Sequence, residues 1–132
     1  VRRRVMAHFA ELDENNIVIR VCVGDNADVD ANGGDQSEAA ATHFGTVVEH
    51  SENGVKWVQT SYNNNFRNLY AGKGYTYQEA EDRFVPQQPF LSWTLQTRDD
   101  GKIDWWAPVA YPDDGQDYEW DEDSTSWKLK TE

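Results

Sequence analysis

Three segments near the C-terminal end of the chain have the pattern of β-hairpins, with aromatic residues on both arms and acidic residues between them. The arms are residues 75–77 with 84–86, residues 93–95 with 103–106, and residues 118–120 with 127–129. Aromatic pairs across neighbouring strands stabilise antiparallel sheets. The hairpins begin 18 and then 25 residues apart, so they do not form a repeat of fixed period. The pattern therefore predicts antiparallel hairpins rather than a solenoid or a propeller.

The first half of the chain predicts one more hairpin, a helix and a further strand. Residues 8–12 and the β-branched residues 17–23 flank a turn rich in Asp and Asn, which is typical of a hairpin. Ser37 is a suitable N-cap for a helix near residues 37–49. Residues 55–60 have the composition of a strand. Together these elements predict an α+β fold, mostly antiparallel β, with about seven or eight short strands in hairpins and one helix.

Aromatic side chains must supply much of the core, because the hydrophobic content is 38%, below the ~45–50% of typical globular chains. The chain has six Trp, six Tyr and five Phe, and each of these rings buries a large area when it packs. Most of the rings are therefore expected in the core. Trp105 and Trp106 are adjacent, however, and neighbouring residues of a strand point to opposite faces. One of these two rings is expected to be exposed or in an interface, which makes the pair a candidate contact surface.

The chain is strongly acidic, with 24 acidic against 12 basic residues and a net charge of −12. Nucleic acids and anionic lipid surfaces attract basic proteins, so neither is expected as a partner. Ten acidic residues lie between residues 99 and 123, whereas Arg2, Arg3 and Arg4 stand together at the start. We interpret residues 1–6 as a basic N-terminal arm that binds a partner, and residues 7–132 as a single β-rich domain.

No arrangement typical of a catalytic site occurs in the sequence, and we expect a protein that is not an enzyme. Cys22, the single cysteine, lies in an apolar run and is expected to be a buried structural side chain. His43 and His50 are seven residues apart, whereas paired metal ligands on one helix are typically four apart. The alternative is a glycoside hydrolase in which carboxylates near Trp105 and Trp120 form the catalytic pair. Acidic residues in hairpin turns usually point into solvent, which favours the non-catalytic interpretation.

One segment is similar to the start of a calcium-binding loop. Residues 24–35 are rich in Asp, Asn, Ala and Gly, which predicts a loop. Within it, Asp28, Asp30 and Asn32 occupy positions 1, 3 and 5 of an EF-hand loop, and a glycine follows at position 6. Position 12 is an alanine rather than a glutamate, and Glu38 stands one residue before it. Two interpretations stay open: a calcium site made by these three residues and Glu38, or a turn that caps the next helix without a cofactor.

Two motifs in the C-terminal half are distinctive: Tyr-Ala-Gly-Lys-Gly-Tyr-Thr-Tyr at residues 70–77 and Ala-Pro-Val-Ala-Tyr-Pro at residues 107–112. Further distinctive segments are residues 6–10, 59–63, 89–93, 106 and 120–122 and Trp127, spread along the chain from Met6 onward. In these segments the chain resembles a family of small, virion-associated proteins of marine tailed bacteriophages of the cyanophage type. Chains of that family begin at the residue that corresponds to Met6, so residues 1–5 are additional.

The resemblance implies a phage setting and localisation in the virion, and it implies no catalytic residues and no cofactor. The expected partners are other virion proteins, such as the major capsid protein or a tail protein, and self-association into a homo-oligomer is also open. We therefore expect a structural accessory: a decoration or cement protein of the capsid, or a peripheral tail or baseplate component. The alternative is a carbohydrate-binding module that aids adsorption to the host surface, with the ring of Trp105 or Trp106 stacked on a sugar.

Overall fold

The computed structural model describes residues 6–48 and 56–131. The predicted arm residues Arg2, Arg3 and Arg4 lie outside the described residues. The chain divides into two compact units, which we call the N-terminal unit (up to Gln87) and the C-terminal unit (from Gln88). The single domain expected over residues 7–132 stays a prediction. Among the described residues the fold is α+β and mostly antiparallel, as predicted, with nine strands and two helices.

The N-terminal unit contains five strands and both helices. In chain order they are β1 (Met6–Leu12), β2 (Val18–Asp25), α1 (Asn26–Ala31), α2 (Glu38–Val47), β3 (Lys56–Thr60), β4 (Thr76–Gln78) and β5 (Arg83–Val85). β1 is the central strand of an antiparallel sheet with the order β2–β1–β3, while β4 and β5 form the first of the predicted aromatic hairpins. The predicted first hairpin is confirmed: the Asp13 carboxylate closes its turn by accepting hydrogen bonds from the backbone N–H groups of Asn15 and Ile17.

The central strand β1 is buried on both faces, which is why its sequence does not alternate between apolar and polar residues. On one face Phe9 stacks on Phe44 of α2, with 4.5 Å between the ring centroids. On the other face Ala10 packs in a cluster that includes Tyr77 and Phe84 of the β4–β5 hairpin. The sheet therefore lies between a helical layer and a hairpin layer, and both layers fix its position.

Helix α2 begins where its capping residue predicts. The Ser37 hydroxyl oxygen accepts a hydrogen bond from the Ala40 N–H at 3.0 Å, an interaction that typically contributes about 1 kcal/mol. Ala40 and Phe44, which lie four residues apart on one helix face, are buried against the sheet, whereas Val47 at the last position is exposed. The helix ends at Val47, two residues before the predicted end near residue 49.

Helix α1 corrects the prediction of a continuous loop over residues 24–35. Asp25 caps this helix by accepting a hydrogen bond from the Ala27 N–H at 2.8 Å. Val29 is its one buried residue and anchors it beside Phe9 and the α2 helix. Six residues with a single buried side chain show no helical periodicity, so the Asp, Asn and Ala composition favoured a loop.

The C-terminal unit consists of two hairpins, β6 (Thr94–Thr97) with β7 (Ile103–Trp106), and β8 (Tyr118–Asp121) with β9 (Ser126–Leu129). Both were predicted from the aromatic arms. Among residues 88–131 none is fully buried, and rings in edge-to-face contact take the place of an aliphatic core. Trp93 packs edge-on against Trp120 and Trp127, which are themselves a cross-strand pair with 5.1 Å between centroids. No helix within the described residues has the length and apolar character needed to cross a membrane.

Candidate functional site

The structure separates the rings of Trp105 and Trp106 on the β6–β7 hairpin, as the sequence predicts. Trp106 is 47% exposed, and Trp105 is partly buried. Trp106 lies opposite Thr94, and both residues belong to the hairpin face that also carries the exposed Gln96. This face therefore presents a large apolar ring among small polar side chains.

The C-terminal unit combines exposed apolar side chains with a surplus of acid. From residue 88 onward the sequence has eleven acidic and four basic residues. Large apolar residues that remain exposed in this unit include Leu91, at 89%, and also Trp106, Val109, Tyr111 and Leu129. Single exposed apolar side chains are common on protein surfaces, and only a contiguous patch of them indicates a binding surface. Trp106 has the largest ring among these exposed residues and is the one on which a contact can be argued.

Glu122 fixes the position of several groups beneath that surface. Its Oε1 atom accepts hydrogen bonds from the Trp120 indole N–H at 2.8 Å and from the Ser92 hydroxyl at 2.7 Å, and its Oε2 accepts one from the Ser92 N–H. These hydrogen bonds lower the pKa of Glu122, with the Trp120 indole as the largest cause. The carboxylate therefore stays ionised and ties the β8–β9 hairpin to the segment before β6.

The calcium-loop residues do not adopt the loop conformation that the pattern implied. Asp28 and Asp30 lie in helix α1, where residues two apart point about 200° away from each other. The Asn32 side chain donates to the Asp28 carbonyl oxygen, and Glu38 is in the first turn of α2. The described residues contain no group of three or more His, Cys, Asp or Glu side chains placed to hold a metal. Calcium binding stays a prediction, and helix α1 would have to unwind for these oxygens to converge.

A cavity of about 280 Å³ in the N-terminal unit is a candidate site that the sequence did not indicate. It lies where the start of β1, helix α1 and the loop after β3 meet. The residues that line it are mostly polar or aromatic, and they include His8, Asp30, Asp35, Gln59, Tyr62 and Asn63. They come from separate stretches of the chain, so no local motif marks the site.

Buried hydrogen bonds hold the wall of this cavity in place. Gln59, which is 5% exposed, donates from its amide to Asp35 at 2.7 Å and accepts from the Gln36 N–H at 2.6 Å. Arg67 donates to the carbonyl oxygens of Gln59 and Gln36, both at 3.2 Å. The Ser61 hydroxyl accepts from the backbone N–H of residue 65. These contacts join residues that themselves line the cavity, and the Asp35 carboxylate can accept further hydrogen bonds beyond the one from Gln59.

Two rings that line the cavity, those of His8 and Tyr62, pack together, and Tyr70, which does not line it, packs against both. Tyr62 stacks on His8 with 5.5 Å between centroids, and Tyr70 contacts both rings edge-on. Burial lowers the pKa of His8, so its imidazole is neutral at pH 7 and both donates and accepts hydrogen bonds. Tyr62 is 65% exposed despite these contacts. Its ring is therefore held in one orientation while one of its faces remains open.

A second cavity, of about 310 Å³, lies between the start of α2, β3 and β4. Three of its charged groups already form ion pairs: the Lys56 ammonium is 2.7 Å from the Glu79 carboxylate, and the Arg67 guanidinium is 2.8 Å from Asp82, which does not line the cavity. These pairs leave the second cavity less suited to a ligand than the first.

Comparison with known proteins found no match among protein-family models, curated proteins or solved structures. The exposed Trp106 face, the acidic surface around it and the cavity beside Tyr62 are therefore the observations on which a function can be argued.

Proposed function

We propose that the protein is a non-enzymatic structural accessory of a phage virion, either a capsid decoration or cement protein or a peripheral tail or baseplate component. The motifs at residues 70–77 and 107–112 support the phage setting through the resemblance that they carry. The exposed ring of Trp106 is the single observation on which the binding role rests. The partners are other virion proteins, and the C-terminal unit is the surface that contacts them.

Trp106 has the properties of an interface anchor. Tryptophan is enriched among the few residues that contribute most of the binding energy at protein interfaces. Its ring is 47% exposed on a hairpin face whose neighbours Thr94 and Gln96 are small and polar. Such a ring, set among groups that can form hydrogen bonds at the rim, fits a pocket on a partner.

The charge of the C-terminal unit specifies the kind of partner. Eleven acidic residues against four basic ones repel acidic surfaces and attract basic ones. The partner surface is therefore basic around an apolar pocket. This attraction acts between exposed charges, so raising the ionic strength weakens it. Near physiological salt, charges more than about 8 Å apart, the Debye length, are largely screened from each other.

The thin core of the C-terminal unit also favours a bound state. Among residues 88–131 none is fully buried, so the unit gains stability from any partner that covers its rings. A small domain present in many copies on a particle also gains avidity when each contact is weak. Both properties suit a protein that works as part of an assembly.

An add-back experiment tests the docking surface. Particles from a phage deleted for this gene are incubated with the purified protein, and the bound copies per particle are measured. We expect the wild type and Tyr62→Ala to bind equally, and Trp106→Ala to bind at least about tenfold more weakly. Tyr62 is the matched control because it is an exposed aromatic residue of the N-terminal unit. Equal occupancy for Trp106→Ala and the wild type would remove Trp106 from the interface.

The same assay tests the basic arm. A variant without residues 1–5 lacks Arg2, Arg3 and Arg4 and keeps every residue that the structure describes. We expect its occupancy to fall, and to fall most at low salt, where the arm's charge acts over the longest range. Unchanged occupancy would dismiss the arm and leave the C-terminal unit as the docking surface.

A further inference from the structure

We propose that the cavity of the N-terminal unit is a binding site for one neutral sugar ring, with Tyr62 as the stacking platform. The residues that line this site do not include Trp105 or Trp106, the pair that the sequence suggested for sugar stacking. The inference does not rest on the proposed virion function, because it concerns residues of the N-terminal unit only.

The ring of Tyr62 is suited to stack on a sugar because it is both exposed and held. His8 supports the ring by stacking at 5.5 Å, and Tyr70 fixes it edge-on at 5.2 Å. Sugar rings carry a face of C–H groups that packs on an aromatic face, and tyrosine loses little conformational entropy when it makes such a contact. A ring that is 65% exposed, yet does not need to reorganise, therefore offers a prepared surface.

The polar groups around Tyr62 match hydroxyl groups. The side-chain amides of Asn63 and Asn65, which line the cavity, form no hydrogen bond with other described residues. Each amide offers both donors and an acceptor, and the Asp35 carboxylate adds acceptors. A polyhydroxylated ligand uses both kinds of group at once, whereas an apolar ligand leaves them unpaired.

Charge excludes other small ligands. No Lys or Arg is among the described residues that line the cavity, and two carboxylates, of Asp30 and Asp35, are. An anionic ligand such as a phosphate or an acidic sugar is therefore repelled. Burial keeps His8 neutral at pH 7, so the imidazole supplies no compensating charge.

The size of the cavity limits the ligand to one ring. Its volume of about 280 Å³ is at the lower end of the ~300–1,000 Å³ range of ligand pockets. One monosaccharide unit fits this volume, while the rest of a longer glycan extends into solvent. The open face of Tyr62 lies at the mouth, where such an extension has room.

Three residues that line or flank the cavity have unusual backbone conformations. Of the seven non-glycine residues with positive φ in the described part of the chain, these three are Gln36 (66°), Asn64 (59°) and Arg67 (54°). Asn adopts this conformation readily, but Gln and Arg do so rarely. The Gln59 and Arg67 hydrogen bonds hold it in place. Strained backbone that surrounding contacts maintain is typical of binding sites, where it fixes the ligand-facing groups.

The test is an NMR titration of the full chain with methyl glycosides of glucose, galactose, mannose and N-acetylglucosamine. Methyl glucuronide and glucosamine serve as the anionic and cationic counterparts. We expect at least one neutral glycoside to shift the signals of residues 61–66 and the Asn63 and Asn65 side-chain amides, with a dissociation constant of order 1 mM. The acidic sugar produces no shift.

Variants decide whether Tyr62 is the platform. We expect Tyr62→Ala to raise the dissociation constant of the glycoside at least about tenfold. Tyr62→Phe keeps the ring face, so its dissociation constant should stay within about threefold of the wild-type value. Trp106→Ala should bind the glycoside like the wild type. The proposal is overturned if no neutral glycoside shifts these signals at a concentration about a hundred times the expected dissociation constant. It is also overturned if glucosamine alone shifts them, or if Tyr62→Ala binds the glycoside like the wild type. Loss of particle binding by Trp106→Ala, with glycoside binding intact, shows that the two surfaces act separately.

Discussion

The Arg20 guanidinium lies 2.7 Å from the carboxylate of Glu11, whose side chain is completely buried at the centre of the sheet. The two residues face each other across β1 and β2, and Arg20 also lies over the ring of Trp57 at 5.5 Å. A charge buried in this way is tolerated because it is paired. Because Glu11 and Arg20 are opposite each other only in this register of β1 and β2, the pair favours it over a shifted one.

Replacing Glu11 tests the importance of this pair. We expect Glu11→Ala to lower the free energy of unfolding by about 3 kcal/mol, because it removes one partner of a buried ion pair. Glu79→Ala is the matched control, since Glu79 pairs with Lys56 at the same 2.7 Å distance but is largely exposed, and exposed pairs contribute at most about 1 kcal/mol. Urea denaturation measures both values. Equal losses in the two variants would show that burial does not matter here.

Replacing Gly45 of helix α2 with alanine is expected to destabilise the protein, which is opposite to the usual effect of this replacement in a helix. Replacing glycine with alanine inside a helix normally stabilises it by about 1 kcal/mol. A Cβ at Gly45 would lie 2.6 Å from the Trp57 ring, which packs edge-on against Phe44 and cannot retreat freely. We therefore expect Gly45→Ala to destabilise the protein by about 1 kcal/mol or more. Thr46→Ala, at an exposed position of the same helix, should be neutral or stabilising in the same thermal unfolding assay.

The sequence predicted those elements of the fold whose defining residues are close together along the chain. The hairpins were predictable because their aromatic arms and turns are continuous in sequence, as in the Trp120–Trp127 cross-strand pair. Helix α2 was predictable because Ser37 caps it and Ala40 and Phe44 share a face. Helix α1 was missed because Val29 is its only buried residue and gives no periodic pattern.

The candidate site near Tyr62 could not be predicted because no segment contains it. His8 on β1, Asp35 before α2 and Tyr62 after β3 come together only when the sheet has formed. The three asparagines at residues 63–65 were the one local signal, and polar loops of this kind are too common to identify a site. Trp105 and Trp106 could be placed on opposite faces because that follows from strand geometry alone.

Tyr77 predicts a loss of stability at high pH. Burial first, and then its hydrogen bond to Asp82, raise the pKa of Tyr77 from 10.0 to about 12. Because the folded-state pKa is above the unfolded one, this stabilising contribution is complete below pH 10 and is lost as the pH rises toward 12. Tyr77→Phe should be less stable than the wild type at pH 8, by about 1 kcal/mol, and the difference should shrink above pH 10.

The comparison with Tyr77→Phe is needed because the pKa values of Tyr70 and Tyr118 are raised as well. Urea denaturation at a series of pH values, together with the ultraviolet absorbance of tyrosinate, separates their contributions. A stability difference that stays constant from pH 8 to pH 12 would contradict the role given to Tyr77.

His8 predicts a loss of stability at mildly acidic pH. Burial lowers the pKa of His8 below its usual value of 6.5, so the folded state favours the neutral imidazole that stacks on Tyr62. The contribution is complete above pH 6.5 and is lost as the pH falls through the lowered folded-state pKa. We expect His8→Gln to remove this part of the pH dependence without altering the loss below about pH 4, where carboxylates titrate. Denaturant midpoints across the acid range measure it, and an unchanged profile in the variant would rule out His8 as the source.

The place of the protein in the virion is the central claim, and the most direct measurement is of intact particles. Under the proposal the chain is encoded by a phage, whose particles are purified by density gradient. The copies of the protein per particle are counted by quantitative mass spectrometry, and its position is determined by electron microscopy. We predict a fixed copy number and a single location on the head, tail or baseplate. Recovery of the protein only in the soluble lysate, with none on the particles, would contradict the proposal.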